Sequence, residues 1–271
     1  MKMNFVLLAA VFLFSVISLS VGGEKKRVLI YTKNGKGYVH KNIATSVKTL
    51  QKICAEHDLV ADVSDDPSVF TKENLSRYKA VVFSNTNNEA FDTNEQRLAF
   101  VHYIQAGGSF MGIHSACGSE RQWPWYWAMI GGKFYRHPKL QKFDIKVIDH
   151  THPATEFLGD VWHWEDECYL LNNLNPDIHV LLAADLSTVQ DDKLKEYPGD
   201  IFGHYFPLSW YHNFDGGHEF YTALGHKIEY YSDPTFIKHL TGGLLWAVEQ
   251  NKGLDYSKAT AEKIEMVAKE K

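Results

Sequence analysis

The chain has 271 residues, of which 45% are hydrophobic and 23% are charged, and its formal net charge is −5 at pH 7. A chain of this length and composition can bury one sizeable hydrophobic core. The acidic balance and the lack of a basic stripe argue against a nucleic-acid partner held by phosphate contacts.

Residues 1–20 resemble an export signal. Lys2 follows the amino terminus, Phe5–Ile17 is almost wholly apolar, and Ser18–Ser20 supplies small residues at a cleavage position. The apolar run is short for a membrane span, although an uncleaved anchor is the alternative. We therefore expect a periplasmic or secreted protein with no integral membrane domain after removal of the signal.

The three cysteines, Cys54, Cys117 and Cys168, include no Cys-x-x-Cys pair. An odd number in an exported protein allows at most one internal disulfide, and the spacing does not choose it. The chain is therefore not a disulfide scaffold.

Short apolar strands alternate with helices in the first half of the chain. The predicted strands are Arg27–Tyr31, Leu59–Val63 and Ala80–Phe83, and the predicted helices are Lys41–Glu56 and a second from Asp92 or Thr93 to Gly107. The second helix has residues placed for a capping box at its start. This alternation predicts an α/β fold with a mainly parallel sheet covered on both faces.

A fourth strand, Ser109–Ile113, leads directly to His114. Gly112 and Ala116 stand two residues before and after this histidine, a spacing that resembles a nucleophile elbow, in which a strand turns sharply into a helix. His114 is then a general base, a metal ligand, or a structural histidine held by neighbouring backbone. Cys117 lies three residues past the apex, so thiol catalysis is not expected.

Ligands of parallel sheets bind beyond the carboxyl ends of the strands. That rule brings together the loops 32–40, 84–88 and 114–119. Tyr38 and His40 in the first loop and Asn85 in the second are therefore predicted to contact substrate.

The densest polar and aromatic segment is Trp162–Tyr169, which contains three consecutive acids. Carboxylates against apolar walls have raised pKa values and can act as acid or base near neutrality. We predict that Glu167 is catalytic and that Trp164 and Asp166 contact substrate, the alternative being a solvated acidic surface. His212 is a further predicted substrate contact.

The remaining signals lie near the end of the chain. Asp215–Gly217 is a strong hairpin signal. His226 follows the second strand of that hairpin, so it could meet His114 across the mouth of the sheet. A final core helix is predicted from Asp233, and residues 251–271 are predicted to be a charged, helical, peripheral tail after a single domain over 24–250.

Four ordered motifs resemble the ThuA-like (trehalose utilisation) family over about Arg27 to Gln250. They are Gly107–Ala116, Asp149–Pro153, Asp166–Tyr169 and Phe220–His226. The resemblance implies a flavodoxin-like three-layer sandwich similar to the class I glutamine amidotransferases. In those enzymes a cysteine occupies the elbow apex and a later histidine assists it. His114 stands at the position of that cysteine and His226 resembles the later histidine, which implies that amidotransferase chemistry is lost while the pocket is kept.

The family is associated with the uptake and breakdown of disaccharides and their keto forms. The resemblance does not settle the reaction. Together with the export signal, it leads us to expect an exported hydrolase, lyase or isomerase that acts on a small-molecule carbohydrate, a disaccharide or keto-sugar, with His114, His226 and Glu167 as its acid–base groups. The same three residues are candidates to hold a divalent metal, zinc or manganese. A non-catalytic sugar-binding protein is the alternative, and the sequence leaves the oligomeric state open.

Overall fold

A mixed sheet organises the residues that the computed structural model describes, 25–193 and 203–268. The strands are β1 Arg27–Tyr31, β2 Val60–Ser64, β3 Tyr78–Ser84, β4 Ser109–Ile113, β5 Lys133–Arg136, β6 Gln141–Val147, β7 Val161–Asp166, β8 Leu170–Asn172, β9 His179–Asp185, β10 Tyr205–Phe214 and β11 Gly217–Thr222. The helices are α1 Ile43–Glu56, α2 Lys72–Leu75, α3 Asn94–Gln105, α4 Pro124–Ile130 and α5 Pro234–Gln250. The predicted signal at 1–20 lies outside the described residues.

Within those residues the strand order of the large sheet is β2-β1-β3-β4-β11-β10-β9-β6-β7, and β5 pairs separately with β8. The first five strands in this order are parallel, whereas every pairing from β11 to β7 is antiparallel. The predicted mainly parallel sheet is therefore correct for one half only. The connection at Asp215–Gly216 is too short for a parallel crossover, so β10 and β11 must run antiparallel.

Helices cover both faces of the parallel half, as the sequence predicted. On one face, Ser46 of α1 lies 2.6 Å from Ser84 between hydroxyl oxygens, and α5 packs on β11, β4 and β3. On the other face, Phe100 of α3 packs against Phe110 at 5.8 Å between ring centres, beside Tyr126 of α4. The strands of this half are buried on both sides, which explains their continuous apolar sequences.

The ends of α3 agree with the sequence prediction. Thr93 and Gln96 form the capping box, in which each side chain accepts a hydrogen bond from the backbone of the other residue. Gly107 has φ +96°, a left-handed conformation that ends the helix cheaply in glycine. This turn directs the chain into β4, which begins two residues later at Ser109.

The chain after α5 is not helical, in contrast to the prediction. Residues 251–268 form an irregular strap with one short 3₁₀ turn at Tyr256–Lys258. Its backbone bonds to α3 and to the chain beyond it: Gln105 Oε1 accepts from the backbone nitrogens of Thr260 and Ala261, and the Val267 nitrogen donates to the Gln122 carbonyl at 2.8 Å. These partners satisfy three backbone N–H groups that a helix would have paired internally.

All three cysteines are buried and unpaired. Among the residues that the structure describes, no helix combines the length and the hydrophobicity needed to cross a bilayer.

Candidate functional site

His114 begins the 3₁₀ turn that follows β4, and its backbone is strained. Its φ is +52°, a left-handed conformation that residues other than glycine seldom adopt. The Tyr221 hydroxyl donates to the His114 carbonyl at 2.8 Å and holds it in this conformation. A Cβ on Gly112 would lie 3.0 Å from atoms of Ile130 and Tyr221, so a small residue is needed there. The predicted sharp turn is confirmed.

The imidazole of His114 is fully buried, so the turn does not expose it at the mouth of the sheet. Its Nδ1 lies 2.7 Å from the Ala223 carbonyl, a geometry in which Nδ1–H donates. The lone pair is then on Nε2, which faces three other polar side chains. His114 is therefore not among the residues that line the neighbouring cavity.

Four side chains converge at this point: His40, His114, Glu167 and His226. His226 Nδ1 is 3.3 Å from His114 Nε2 and 3.1 Å from Glu167 Oε2, and the same carboxylate oxygen is 3.6 Å from His114 Nε2. The His40 ring centre lies 4.8 Å from that of His114. One ligand atom from each residue falls within 4.8 Å of all the others. The predicted meeting of His114, His226 and Glu167 is thus present, with His40 added.

Asp166 at the end of β7 positions two members of this cluster. Its buried carboxylate accepts hydrogen bonds from the backbone nitrogens of Gly225 (2.8 Å), His226 (3.3 Å) and Glu167 (2.9 Å), and from the Trp164 indole (3.2 Å). Burial raises its pKa to about 6, against the opposing effect of these donors. The prediction that Asp166 contacts substrate is therefore corrected: it is fully buried and joins β7 to the loop after β11.

The first loop is fixed to the last one through Asn42. Its side-chain nitrogen donates to the carbonyls of Gly225 at 2.6 Å and His226 at 2.9 Å. His40, two residues earlier, is held with its Nδ1 3.1 Å from the Ser115 hydroxyl. Loops far apart in sequence therefore carry the cluster as one unit.

The electrostatics favour neutral imidazoles at His114 and His40 beside an ionised Glu167 carboxylate. Burial lowers the pKa of His114 well below its usual value, with neighbouring His40 adding to the effect, and burial lowers the pKa of His40 to about 4. Burial opposes ionisation of Glu167, but its hydrogen bond with His226 brings the net pKa below the usual value. The same bond raises the pKa of His226. Neutral histidine and ionised carboxylate are the forms that ligate metals.

A cavity of about 370 Å³ opens above the cluster. It is lined by Tyr38, His40, Asn87, Ser115, Gly118, Arg121, Phe134, His137, Glu167, Tyr169 and His226. The sequence predicted four of these residues, Tyr38, His40, Glu167 and His226. It also indicated the loops that carry Asn87, Ser115 and Gly118, but not those residues themselves. No sequence pattern connected β5, which carries Phe134, to this edge of the sheet.

Two residues that the sequence analysis did not assign lie against the cluster. The buried Tyr169 hydroxyl is 2.9 Å from His114 Nε2, and burial keeps its pKa well above 10, so it is a neutral phenol. His137 lies at the rim with Nε2 3.6 Å from Glu167 Oε1. Its ring stacks on Tyr169 at 5.5 Å between centres.

Besides Asp166, three predicted substrate contacts lie outside this cavity. Asn85 is buried and donates to the Tyr231 hydroxyl at 2.9 Å. His212 is buried, with Nε2 2.8 Å from the Met129 carbonyl. Trp164 lines a separate, larger groove of about 750 Å³, in which polar groups such as His163 and Asp144 pair with each other (2.6 Å) rather than converge. We therefore place the candidate site at the smaller, histidine-lined cavity.

The fold and site together define a mixed α/β protein with a histidine- and carboxylate-lined pocket beyond the carboxyl ends of its parallel strands. The family model for ThuA, described as trehalose utilisation, matches residues 27–247. The chain belongs to the ThuA family, as the sequence motifs predicted. This membership suggests a carbohydrate-related role.

Solved structures with the same fold include two ThuA-like proteins. One from Bacteroides uniformis is 24% identical, covers 86% of this chain and 95% of its own, and has a TM-score of 0.68. One from Parabacteroides merdae is 20% identical, with coverage of 85% and 92% and a TM-score of 0.64. A β-galactosidase from Bacillus circulans matches over 84% of this chain but 31% of its own, at 12% identity and a TM-score of 0.51. A comparison with curated proteins found no match.

Proposed function

We propose that this chain is an exported carbohydrate enzyme that uses a divalent metal held by His40, His114, Glu167 and His226 to act on a disaccharide or keto-sugar. The observation that carries the proposal is the convergence of three imidazoles and one carboxylate on a single point beneath a cavity. Family membership supports the carbohydrate class.

The spacing of the ligand atoms fits a metal. Zinc bonds to nitrogen and oxygen are about 2.0–2.1 Å long, so adjacent ligands of a tetrahedral site lie about 3.3–3.4 Å apart. The separations among His114, Glu167 and His226 are 3.1, 3.3 and 3.6 Å. Three ligand atoms therefore already lie close to three corners of a tetrahedral site.

The surroundings of the ligands support the same conclusion. Histidines that bind metals usually donate their other ring N–H to a backbone carbonyl or carboxylate, which fixes the tautomer. His114 donates its Nδ1–H to the Ala223 carbonyl, and His40 Nδ1 lies within hydrogen-bond distance of the Ser115 hydroxyl. A set of three imidazoles and one carboxylate favours zinc, with manganese as the alternative.

Zinc held by all four residues would have to take a substrate oxygen as a fifth ligand, and it would then supply Lewis-acid polarisation of that oxygen. The chain's own residues would supply the proton transfers. Glu167 is ionised, and its Oε1 faces His137 at the rim, so the two can accept and release a substrate proton. A metal on His114 Nε2 would take the lone pair that faces the Tyr169 hydroxyl at 2.9 Å, and this phenol, which lines the cavity, could then donate to a substrate hydroxyl.

The cavity also suits a sugar. Its volume of about 370 Å³ is at the lower end of the range of ligand pockets, which favours one sugar ring inside. Tyr38 and Phe134 provide aromatic surface and Asn87 provides an amide. We propose that one ring of the substrate occupies the cavity while any second ring extends past the exposed Tyr38.

The test combines metal analysis with a panel of disaccharides and keto-sugars. We expect about one zinc or manganese per chain and turnover of at least one sugar, both lost in His114→Ala. His163→Ala is the matched control, because that side chain is 79% exposed and outside the cavity. Metal content that is the same in His114→Ala and wild type would refute the proposed site.

The alternative is a sugar-binding protein without catalysis. The full burial of His114 favours it, since this residue cannot touch a ligand in the cavity directly. Calorimetric binding of a sugar to the metal-loaded protein with no product formed would support this alternative over the enzyme.

Two finer proposals concern architecture and export. We propose that the helical layers on either side of the sheet make the fold a flavodoxin-like three-layer sandwich, which a crystal structure would test. We also propose cleavage near residue 20 and a periplasmic or secreted location. Amino-terminal sequencing of the mature protein and cell fractionation would test both points, and an intact start at Met1 would contradict the cleavage.

A further inference from the structure

Arg121 forms part of the wall of the histidine-lined cavity and is held there by three contacts. Its Nε donates to the Gly118 carbonyl at 3.0 Å, and one terminal nitrogen is 3.4 Å from the Asn87 side-chain oxygen. The guanidinium lies over the Phe134 ring, 5.4 Å from its centre. All four residues line the same cavity, so the guanidinium is fixed at its surface.

Arg121 differs from the other arginines in its lack of a carboxylate partner. Arg27 and Arg77 pair with Asp62, Arg97 with Glu120 and Arg136 with Asp191, at 2.7 to 3.8 Å. Among the described residues, no carboxylate lies within 4.0 Å of Arg121. Because the protein pairs its other arginines internally, the charge of Arg121 is available to a ligand.

Gly118 makes this arrangement sterically feasible. A Cβ at that position would lie 2.8 Å from the Asn87 side-chain oxygen and 3.3 Å from an Arg121 terminal nitrogen. Any larger residue would force these two side chains apart. The close approach of Asn87 and Arg121 is therefore built into the local sequence.

We infer that the cavity takes a sugar that carries a carboxylate, with Arg121 binding the carboxylate and the histidine cluster facing the opposite end of the ring. This inference rests on the proposed function for the sugar itself, but it adds the charge of the substrate. A guanidinium presents parallel N–H donors that match the two oxygens of a carboxylate.

The charge of the cavity favours a carboxylate over a phosphoryl group. Arg121 is the only lysine or arginine among the described residues that line the cavity, which the ionised Glu167 of the histidine cluster also lines. A phosphoryl group carries about −1.5 to −2 charges near neutrality, which the single guanidinium at the Arg121 end of the cavity does not balance. A carboxylate brings a single charge.

The experiment compares three probes by calorimetry at fixed ionic strength: D-glucuronate, D-glucose and D-glucose 6-phosphate. Zinc-loaded wild-type protein should bind glucuronate about 10- to 100-fold more tightly than glucose, as expected for a hydrogen bond to a charged group. Arg121→Met should abolish this preference, and Arg121→Lys should retain part of it because the charge remains. Arg77→Met is the surface control and should retain the preference in full.

Equal binding of glucuronate and glucose by the wild type would overturn the inference, as would a preference that persists in Arg121→Met. Tighter binding of glucose 6-phosphate than glucuronate would overturn the assignment to a carboxylate. If Arg121→Met does not fold, full preference in a folded Arg121→Lys would count against the bidentate geometry. The zinc content of the wild type is measured in parallel. If the wild type binds no zinc but still prefers glucuronate over glucose, the proposed function is refuted and this inference stands.

Discussion

Tyr221→Phe tests whether the strained conformation of His114 organises the site. The substitution removes one buried hydroxyl, which donates to the His114 carbonyl at 2.8 Å and also lies 2.9 Å from Cys117 Sγ. Leaving a buried carbonyl without its donor costs about 1–3 kcal/mol of stability. The left-handed backbone at His114 itself costs about 1–3 kcal/mol, so the lost bond is comparable to the strain that it offsets.

We expect two effects of this change. The free energy of unfolding should fall by about 1–3 kcal/mol in urea titrations. The zinc dissociation constant should rise about 5- to 30-fold if about 1–2 kcal/mol of the stabilisation from this hydrogen bond orients His114 for zinc binding. A competitive chelator titration measures the second effect on the folded protein.

Tyr31→Phe is the matched control. The Tyr31 hydroxyl is also buried and donates to a backbone carbonyl, that of Ala90 at 2.5 Å, but it lies away from the histidine cluster. Its loss should reduce stability by a similar amount and leave zinc affinity unchanged. Equal zinc affinities in Tyr221→Phe and wild type, or equal losses of affinity in both variants, would refute the reasoning.

Three other predictions follow from buried polar groups. Asp166→Ala should weaken zinc binding about 10- to 100-fold in the chelator titration, because the backbone nitrogens of Gly225 and His226 lose their acceptor. An unchanged zinc affinity would contradict this prediction. Burial lowers the pKa values of His152 and His239 to about 4. Between pH 6.5 and 4 the unfolded chain therefore binds more protons than the folded protein. The free energy of unfolding should fall by up to about 3 kcal/mol per group as the pH drops through this range. His239→Gln should flatten this decline in urea titrations run at each pH, and an unchanged slope would contradict it. Burial raises the pKa of Glu219 well above its usual value, and neither of its oxygens has a partner among the described residues. Wild type should therefore lose stability relative to Glu219→Gln as the pH rises above about 4.5, a trend that thermal melts would detect or exclude.

The sequence was informative where local chemistry determines structure. The apolar runs of β1, β3 and β4, the Thr93 capping box and the turn at His114 all depend on residues within a few positions of each other. The meeting of His114 and His226 followed from a general rule about strand ends rather than from spacing.

Other features depend on long-range partners that no local pattern encodes. Arg121 and His137 reach the cavity because α4 and the β5–β8 pair fold back over the loop after β4. The strap at 251–268 has the charged composition of a surface helix, but carbonyl and amide groups of α3 and its flanks capture its backbone. In the sequence, Asp166 is one of three consecutive acids. Its role in positioning Glu167 and His226 follows only from the four hydrogen bonds that it accepts in the fold.

Because all three cysteines are buried, their chemical reactivity reports local unfolding of the protein. Burial raises the pKa of the Cys54 thiol to about 11 and those of Cys117 and Cys168 to about 12, so none offers a thiolate to a reagent while the chain is folded. Cys54 lies on α1, Cys117 beneath the histidines and Cys168 beside β8. The rate at which each sulfur is alkylated under native conditions would therefore measure how often its own part of the domain unfolds, without any engineered probe.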